Sequence, residues 1–384
     1  MRHRFLIAAP AHDIHAKLVA EKLVDSGKAV DVVDFGNFPE RSFIDQNISD
    51  ESDTVALREL GVVIDDATVD VVWWRAYYGF QPSLQSVHHD DREMVARENQ
   101  VYSRYFPYHV ARRALWINSP QAELESCNKL LQLRIARDCG MSVPTTVVTN
   151  DSAVARRFVE DAERAGKRTI YKSLIPPETR FFESLPAGAM GGLTTFVDEG
   201  SIVDQDIFKK SPGIFQHVVD SQYELRIFVI GAAFVAIAHN FRDLPDWKID
   251  SRIVLGRNRH TKYHPIPQHF KSRCMEFMTR MGLSMGSFDV MVDRTGRYVF
   301  LEVNPQGAWL WMEDVCDEIR ILDPFCSFLC GNEVSDRSFI RAYRWTDSCF
   351  DPRWSTRSRP NMARLCFLAC GNSRCSPGRR CWRW

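Results

Sequence analysis

The chain has 384 residues, of which 45% are hydrophobic and 26% are charged. This apolar content excludes a disordered chain, and the length is sufficient for about two or three domains of ordinary size. The 49 Lys and Arg residues balance the 49 Asp and Glu residues. Such a balance argues against a protein that coats nucleic acid or an anionic membrane, because both need an excess of positive charge.

The sequence offers no candidate for a membrane-spanning segment or a signal peptide. The longest apolar run, 227–238, has about half of the roughly 20 residues that cross a bilayer. A short apolar stretch near the start is followed at once by His12 and Asp13, so we expect a first β-strand there. The 11 cysteines lack the spacing of a disulfide framework, and we therefore expect a cytoplasmic protein with reduced thiols.

The first 120 residues alternate between predicted strands and helices, which indicates an α/β domain. In the helix expected at 14–26, Leu18, Val19 and Leu23 have helical spacing before Gly27. No Gly-x-Gly-x-x-Gly follows the first strand, which disfavours a dehydrogenase. The predicted strands are 5–9, 29–35, 69–74 and 116–118, and the other predicted helix is 91–113.

Residues 121–213 are predicted to form a central α/β region. Ser119 and Pro120 give a helix start, and this helix is expected to reach about Cys139. A strand (143–149), a helix ending near 166 and a strand (168–174) follow. Residues 176–200 contain prolines at 176, 177 and 186 and glycines at 188, 191, 192 and 200. This segment is predicted to be a loop or mobile hairpin that closes as a lid.

Residues 214–330 are predicted to be rich in strands. The expected elements are strands 214–219, 223–230 and 232–239, a helix at 271–281, and a hairpin of strands 287–292 and 297–303. From residue 331 onward, the 54 residues include 11 Arg, 5 Cys and 4 Trp but only 4 acidic residues. Because periodicity is lost there, 331–384 is expected to be a poorly structured tail or an out-of-register end of the reading frame.

The hairpin carries the strongest chemical signal, in Asp289, Glu302 and Asn304. Strand alternation places Glu302 and Asn304 on one face. A two-residue turn at 295–296 would pair residues whose numbers sum to 591, which sets Asp289 opposite Glu302. Facing carboxylates repel each other unless a cation lies between them, and oxygen ligands of this kind suit Mg²⁺. The alternative is a solvated face of an edge hairpin that ends in a structural Asn-Pro turn.

A second signal comes from four basic residues, Lys129, Lys172, Arg226 and Arg252. Lys172 lies in the middle of a predicted strand, where its burial is costly unless an anion meets it. Taken with the hairpin, the four residues suggest clamps for a polyphosphate and a carboxylate. Each of them alone also fits a solvated lysine or a surface salt bridge. The glycines at 188, 191 and 192 either offer N–H groups to phosphates or form a plain flexible loop.

The order of these features resembles the ATP-grasp superfamily and, within it, the graspetide (microviridin-type) peptide ligases. The resemblance covers roughly residues 1–330. Features of the superfamily are the Rossmann-like opening, Lys129, Lys172, a glycine-bearing hairpin, the strand Phe215-Gln-His-Val218 and Asp289…Glu302-Val-Asn304. The phrases that point to graspetide ligases are Trp116-Ile-Asn-Ser-Pro120, Glu224-Leu-Arg226, Gly286-Ser-Phe-Asp289 and Leu301-Glu-Val-Asn-Pro-Gln-Gly-Ala-Trp-Leu-Trp311.

The resemblance implies an α/β ATP-grasp fold and a role for each matching residue. Its parts would be an N-terminal Rossmann-like (pre-ATP-grasp) domain (1–120), a central region with the glycine-rich loop (121–213), a C-terminal ATP-grasp catalytic region (214–330) and the tail (331–384). The implied roles are ATP phosphates for Lys129 and Lys172, with Lys172 also bordering the adenine; the adenine hinge for Gln216, His217 and Val218; the ribose for Glu224; Mg²⁺ for Asp289, Glu302 and Asn304; and the γ-phosphate and substrate carboxylate for Arg226 and Arg252.

The activity that the resemblance implies is ATP- and Mg²⁺-dependent carboxylate ligation. Asp or Glu side chains of a precursor peptide would be activated as acyl phosphates, and ester or amide macrocycles would then close. The expected partner is the leader and core of that peptide, without nucleic acid or membrane, and a homodimer is left open. Two alternatives remain: a small-molecule carboxylate–amine or amino-acid ligase of the same fold, and a non-catalytic ATP-binding module. The full set of magnesium ligands argues against the second.

Overall fold

The computed structural model describes most residues between 4 and 341. Arg252, the glycines at 188, 191 and 192 and most of the predicted 176–200 loop lie outside the described residues. Among the helices that are described, none combines the length and the apolar character needed to cross a membrane. The residues outside the description are 1–3, 36–37, 39–41, 52, 60–61, 66–67, 76–82, 173, 175–193, 203–208, 240–260 and 342–384.

A parallel sheet forms the N-terminal part of the fold. Its region contains β1 (Arg4–Ala8), α1 (Ile14–Asp25), β2 (Ala29–Val33), β3 (Ser42–Ile48), β4 (Asp53–Glu59), β5 (Val62–Asp65), β6 (Val71–Trp74), α2 (Arg92–Tyr105) and β7 (Leu115–Ile117). The strand order is β2-β1-β6-β7. Alternate residues belong to different hydrophobic clusters, Phe5 and Trp73 to one and Leu6 and Trp74 to the other. Burial of both faces is typical of parallel sheets.

Two features of this region differ from the predictions. Helix α2 ends at Tyr105 rather than near 113, and a short 3-10 turn containing Pro107 follows it. Proline has no N–H with which to continue the helical ladder. The antiparallel sheet of β3, β4 and β5 was not predicted. On β3, Phe43 is exposed while Gln46 is half-buried, so the hydrophobic pattern does not follow the burial pattern.

The middle of the chain forms an antiparallel sheet. This region contains α3 (Pro120–Ser126), α4 (Lys129–Asp138), β8 (Thr146–Thr149), α5 (Ser152–Arg164), β9 (Thr169–Lys172), β10 (Thr195–Val197) and β11 (Gly213–His217). The strand order is β10-β9-β11-β8. Ala155 and Val159 of α5 pack with Phe215 against one face. By strand alternation, Lys172 and Gln216 lie on the opposite face.

The single helix predicted from 119 to about 139 is wrong, because two helices occupy this stretch. The Ser119 hydroxyl caps α3 as expected, accepting from the Ala122 N–H at 3.2 Å. The second helix, α4, begins after Asn128, whose Oδ1 accepts from the Leu131 N–H at 3.0 Å. Asn competes with the helical ladder through its own side chain and therefore favours a cap position. Lys129 is consequently the first residue of a helix.

A five-stranded antiparallel sheet holds the C-terminal half together, with the order β14-β13-β12-β15-β16. These strands are β12 (Ser221–Ile230), β13 (Ala233–His239), β14 (Thr261–Tyr263), β15 (Met285–Asp293) and β16 (Tyr298–Asn304). Helix α6 (Gln268–Arg280) and α4 cover one face, where Phe277 packs with Phe288 and Phe300. On the other face, Phe228 belongs to the cluster shared with the N-terminal sheet.

The β15–β16 hairpin confirms the predicted Asp289–Glu302 pairing but not the predicted turn. Asp293 pairs with Arg297 through the Arg297 carbonyl, so the loop has three residues, and Gly296 has a φ of 82°. With this three-residue loop, the residue numbers of each pair near the turn add up to 590, as for Val290 and Phe300. A bulge between Asp289 and Val290 then adds one residue to β16. The two deviations cancel at Asp289.

The described part of the C-terminal segment packs on the core. After α7 (Leu310–Val315) and α8 (Leu322–Leu329), a 3-10 turn spans Asp336–Phe339. Phe339 is fully buried, and a carboxylate oxygen of Asp336 accepts from the Phe234 N–H at 2.7 Å. Residues 331–341, predicted to be part of the poorly structured tail, are therefore folded. Residues 342–384 lie outside the description.

Candidate functional site

Three neighbouring strands bring the predicted metal ligands and Arg226 onto one face of the five-stranded sheet. Arg226 on β12 pairs with Asp289 on β15, and Asp289 pairs with Glu302 on β16. Asn304 lies two residues after Glu302 and pairs with Ser287. Directly paired residues on adjacent strands share a face. The order of strands in this sheet therefore creates the cluster.

Both carboxylate oxygens of Asp289 accept hydrogen bonds. Nη1 of Arg226 donates to Oδ1 at 2.7 Å, and Nδ2 of Asn304 donates to Oδ2 at 3.1 Å. Burial raises the pKa of Asp289, and the nearby Glu302 charge raises it further, while Arg226 opposes this shift. The carboxylate thus sits where negative charge is unfavourable without positive neighbours. An additional cation would stabilise its charged form.

Lys129 extends the cluster from a different element. Its Nζ lies 3.8 Å from Oε2 of Glu302, and both side chains are about one-third exposed. Lys129 owes this position to the break between α3 and α4, because it is the first residue of α4. Gln132, one turn later on the same helix, fixes α4 to β16 through hydrogen bonds with the Val303 N–H and carbonyl at 2.7 and 2.9 Å. Because Gln132 fixes α4 to the main chain of β16, the ammonium group of Lys129 is held beside Glu302.

Lys172 and Gln216 face this cluster from the sheet of β8, β9, β10 and β11. Nζ of Lys172 donates to Oε1 of Gln216 at 3.1 Å, and Nε2 of Gln216 donates to Oγ1 of Thr146 at 2.9 Å. Gln216 is almost fully buried. The positive charge of Lys172 lowers the pKa of Asp289, which places this ammonium group within electrostatic reach of the cluster. The two sheets thus present cations around one space.

The side chain of His217, another predicted hinge residue, points away from Lys172. The His217 ring packs on Phe158 of α5, with ring centroids 4.4 Å apart. The N–H groups of His217 and Val218 donate to the carbonyls of Thr145 and Arg168, both at 2.9 Å. A contact between His217 or Val218 and a nucleotide would therefore use other main-chain atoms. The side chain of Gln216, in contrast, lies on the face of Lys172.

Glu224 and His239 complete the described part of the face. They pair across β12 and β13, two positions from Arg226. The His239 ring stacks on Trp311 at 5.3 Å, and its Nδ1 lies 2.8 Å from Oγ1 of Thr261. Burial, with the Arg226 charge, lowers the pKa of His239 to about 4, so it is neutral near pH 7. Sequence reasoning missed His239, although a tight turn at Gly231 pairs it with Glu224.

The residues present fit a magnesium site. Asp289, Glu302 and Asn304 offer carboxylate and amide oxygens, which are the ligands that Mg²⁺ prefers, and Mg²⁺ commonly takes its remaining ligands from water and phosphate. The Nδ2 of Asn304 donates a hydrogen bond to Asp289, which leaves Oδ1 of Asn304 as its ligand atom. The raised pKa of Asp289 is in line with a carboxylate placed to meet a cation.

No protein-family model and no curated protein matches the sequence. Among solved structures, the macrocyclase MdnC of Microcystis aeruginosa MRC, bound with precursor peptide MdnA, has a TM-score of 0.71 at 20% identity and covers 86% of this chain and 100% of its own. A RiPP-associated ATP-grasp ligase of Chryseobacterium gregarium, in complex with ADP and a leader and core peptide, has a TM-score of 0.73 at 20% identity, covering 89% and 100%. The M. aeruginosa macrocyclase MdnB has a TM-score of 0.69 at 24% identity, covering 85% and 99%.

The chain has the ATP-grasp fold. This confirms the predicted fold class, because the C. gregarium ATP-grasp ligase and both macrocyclases are similar to this chain over nearly their whole length. Fold similarity at this level of identity leaves the chemistry to be argued from the residues themselves.

Proposed function

We propose that this chain is an ATP- and Mg²⁺-dependent carboxylate ligase that matures a precursor peptide. It would activate Asp or Glu side chains as acyl phosphates and close ester or amide macrocycles. The observation that carries the proposal is the cluster of Arg226, Asp289, Asn304 and Glu302, with Lys129 beside it and Lys172 facing it. This set combines oxygen ligands for a divalent ion with cations for phosphates.

A carboxylate needs activation because oxide is a very poor leaving group. In the first step, a carboxylate oxygen of the peptide attacks the γ-phosphorus of ATP, the bond to the β–γ bridging oxygen breaks, and ADP departs. In the second step, a Ser or Thr hydroxyl or a Lys amine attacks the acyl carbon, phosphate departs, and the nucleophile loses its proton. The first step depends on positioning and charge neutralisation more than on covalent help from the protein.

The described residues supply that positioning. Lys129 and Lys172 would hold the phosphates, and the hydrogen bond from Lys172 to Gln216 orients the ammonium group before a nucleotide binds. Arg226 is only 12% exposed and would neutralise charge on the transferred phosphoryl group while keeping Asp289 ionised. Arg252, which we expect to grip the substrate carboxylate, lies outside the described residues.

The cluster of Asp289, Glu302 and Asn304 would hold Mg²⁺. When bound, the ion would neutralise charge on the phosphate oxygens. Asp289 and Glu302 bring the negative charge that such an ion requires, and the hydrogen bond from Asn304 Nδ2 to Asp289 holds the amide beside that carboxylate. The placement of all three on paired strands keeps their separations fixed.

The peptide substrate is supported by what the structural neighbours bind. MdnC is bound with its precursor peptide, and the C. gregarium ligase with a leader and a core peptide. We extend this partner to the present chain. We also place the reaction in the cytoplasm, where ATP is available and where the six free cysteines of the described residues would stay reduced. A homodimer remains part of the proposal.

The decisive test uses a short peptide encoded beside the gene and rich in Thr, Ser, Asp and Glu. Incubation with the protein, ATP and Mg²⁺ should release ADP and phosphate, and mass spectrometry should show the loss of one water for each ring closed. ATP hydrolysis without any loss of water from the peptide would contradict peptide ligation. Ligation of free amino acids in preference to the peptide would establish the small-molecule alternative.

A further inference from the structure

A short loop joins the candidate magnesium ligand Asn304 to α7, and we name residues 305–309 the connecting loop. The carbonyl oxygen of Ala308 accepts hydrogen bonds from Nη2 of Arg226 at 3.4 Å and from Nε1 of Trp311 at 2.8 Å. The connecting loop is thus continuous with one member of the cluster and bonded to a second. A displacement of this loop would move both Asn304 and Arg226.

Arg75 holds the connecting loop from the N-terminal sheet. It follows the last residue of β6 and is 2% exposed. Its Nη1 donates to the carbonyls of Gln306 and Gly307 at 2.8 and 3.3 Å. Its Nε and Nη2 donate to Oδ2 of Asp13 at 3.0 and 2.8 Å. The guanidinium group therefore links a carboxylate of the N-terminal domain to two main-chain oxygens of the connecting loop.

His15 holds the other end of the same loop. Its Nε2 accepts from the N–H groups of Trp309 and Leu310 at 3.0 and 3.2 Å. Burial and the Arg75 charge lower the pKa of His15 to about 3, so the ring is neutral and Nε2 is an acceptor. The ring also meets the Trp309 ring edge-on, with centroids 5.2 Å apart. His15 thus fixes the point where the loop enters α7.

Asn118, just after β7, fixes the start of the connecting loop. Its Nδ2 donates to the carbonyl of Pro305 at 3.1 Å, and its Oδ1 accepts from the N–H groups of Ser284 and Met285 at 2.7 and 2.9 Å. Asn118 is fully buried. One amide therefore connects the beginning of β15, which carries Asp289, with the residue that follows Asn304.

These contacts are made at the carboxyl edge of the parallel sheet. Arg75 and Asn118 follow β6 and β7, and Asp13 and His15 lie at the start of the helix that follows β1. Open parallel sheets usually hold a ligand at this edge. Buried polar groups contribute little net stability compared with apolar side chains of similar volume. Their hydrogen bonds do, however, depend on distance and direction, so they fix where the loop lies.

We propose that Arg75, His15 and Asn118, with Asp13 behind Arg75, form a loop clamp that positions Asn304 and Arg226 for the reaction. The N-terminal domain would then contribute to catalysis through the connecting loop without touching the substrates. This inference rests on the proposed function, because that function makes Asn304 a magnesium ligand and Arg226 a residue that binds the transferred phosphoryl group. Members of the loop clamp are positioning residues, and weakening them should loosen the metal site before it unfolds the protein.

The most selective variant is His15→Phe. It removes the acceptor for the Trp309 and Leu310 N–H groups, keeps a ring beside Trp309 and leaves no charge unpaired. His15→Gln is the matched rescue because its side-chain oxygen replaces the acceptor. Arg75→Lys keeps a charge for Asp13 but lacks the planar fork. Lys22→Gln is the control, since it breaks an exposed ion pair with Asp323 that also joins α1 to α8.

The measurements are hydrogen–deuterium exchange of residues 305–311, Mn²⁺ affinity in the presence of ADP by electron paramagnetic resonance, and Tm. For His15→Phe and Arg75→Lys we expect roughly tenfold faster exchange and about tenfold weaker Mn²⁺ binding, as for residues that orient metal ligands. The Tm should fall by only a few degrees. His15→Gln and Lys22→Gln should stay within about twofold of wild type in both measurements.

Three results would overturn the loop clamp. One is unchanged exchange in His15→Phe and Arg75→Lys. Another is faster exchange with unaltered Mn²⁺ affinity, which would make the contacts merely structural. The third is an equal loss of Mn²⁺ binding in Lys22→Gln. If the wild-type protein binds Mn²⁺ and ADP but never ligates a peptide, the proposed function fails while exchange and Mn²⁺ affinity still decide the clamp.

Discussion

Replacing Asp289 by Asn should separate activity from stability. The Asp289 side chain is 32% exposed and receives a hydrogen bond from Arg226 at 2.7 Å. A hydrogen bond to a charged group contributes about 1.5–3 kcal/mol, and a neutral one about 1 kcal/mol. The variant therefore loses roughly 0.5–2 kcal/mol of this interaction. Burial opposes the charged carboxylate, so removal of the charge recovers part of that loss. We expect a net destabilisation below about 2 kcal/mol.

Ligation should fall far more steeply in this variant. Asp289 would contribute a metal ligand and hold Arg226, and the loss of one such electrostatic group costs about 10²–10³ in rate. The assay measures ADP release and the loss of water from the peptide, by mass spectrometry, at saturating Mg²⁺. The Tm is measured by differential scanning fluorimetry. Glu302→Gln is the matched variant on the paired strand. Near-normal ligation by Asp289→Asn, or a Tm drop large enough to explain the lost activity, would refute the reasoning.

Three further outcomes are expected. Lys172→Met should raise the KM for ATP about tenfold with little change in Tm, measured by ADP release, and an unchanged KM would remove this lysine from the phosphate site. Gly307 has a φ of 45°, and an added Cβ would lie 2.6 Å from Oγ of Ser287; Gly307→Ala should therefore lower the unfolding free energy by about 1–3 kcal/mol in urea titrations, and full stability would contradict it. The pKa of His15 is about 3 in the fold against 6.5 as its ordinary value. The unfolded chain therefore binds a proton between these pH values while the fold does not, so stability is complete above about pH 6.5 and falls by up to about 1.4 kcal/mol per pH unit below it. A His15→Phe variant should show a shallower fall, and an identical pH profile would contradict this assignment.

The predicted pairing of Asp289 with Glu302 is confirmed, but the turn from which it was derived is wrong. A two-residue turn was expected, and the loop has three residues. The bulge beside Asp289 compensates for the extra residue and keeps Asp289 opposite Glu302. Phe300 and Val303 are both buried although they are three residues apart. Regular alternation forbids that spacing on one face, so it was the available sign of a bulge.

What the sequence could not supply was contact between distant segments. Lys129 lies at a helix start because Asn128 caps α4. Asn128 is visible in the sequence as a candidate N-cap, but the surrounding residues also fit one continuous helix. The loop clamp is different. Arg75 and Gln306 lie 231 positions apart in the sequence, so no local pattern links them. Strand order, which decides that Arg226 lies beside Asp289, is likewise fixed by packing of the whole sheet.

The most direct test of carboxylate activation follows the oxygen atoms. A precursor peptide with ¹⁸O in its Asp and Glu side-chain carboxylates should be ligated by the protein with ATP and Mg²⁺, and the released phosphate analysed by mass spectrometry. If the carboxylate attacks the γ-phosphorus, one ¹⁸O atom enters the phosphate for each bond formed. Product formation with unlabelled phosphate would contradict activation through an acyl phosphate.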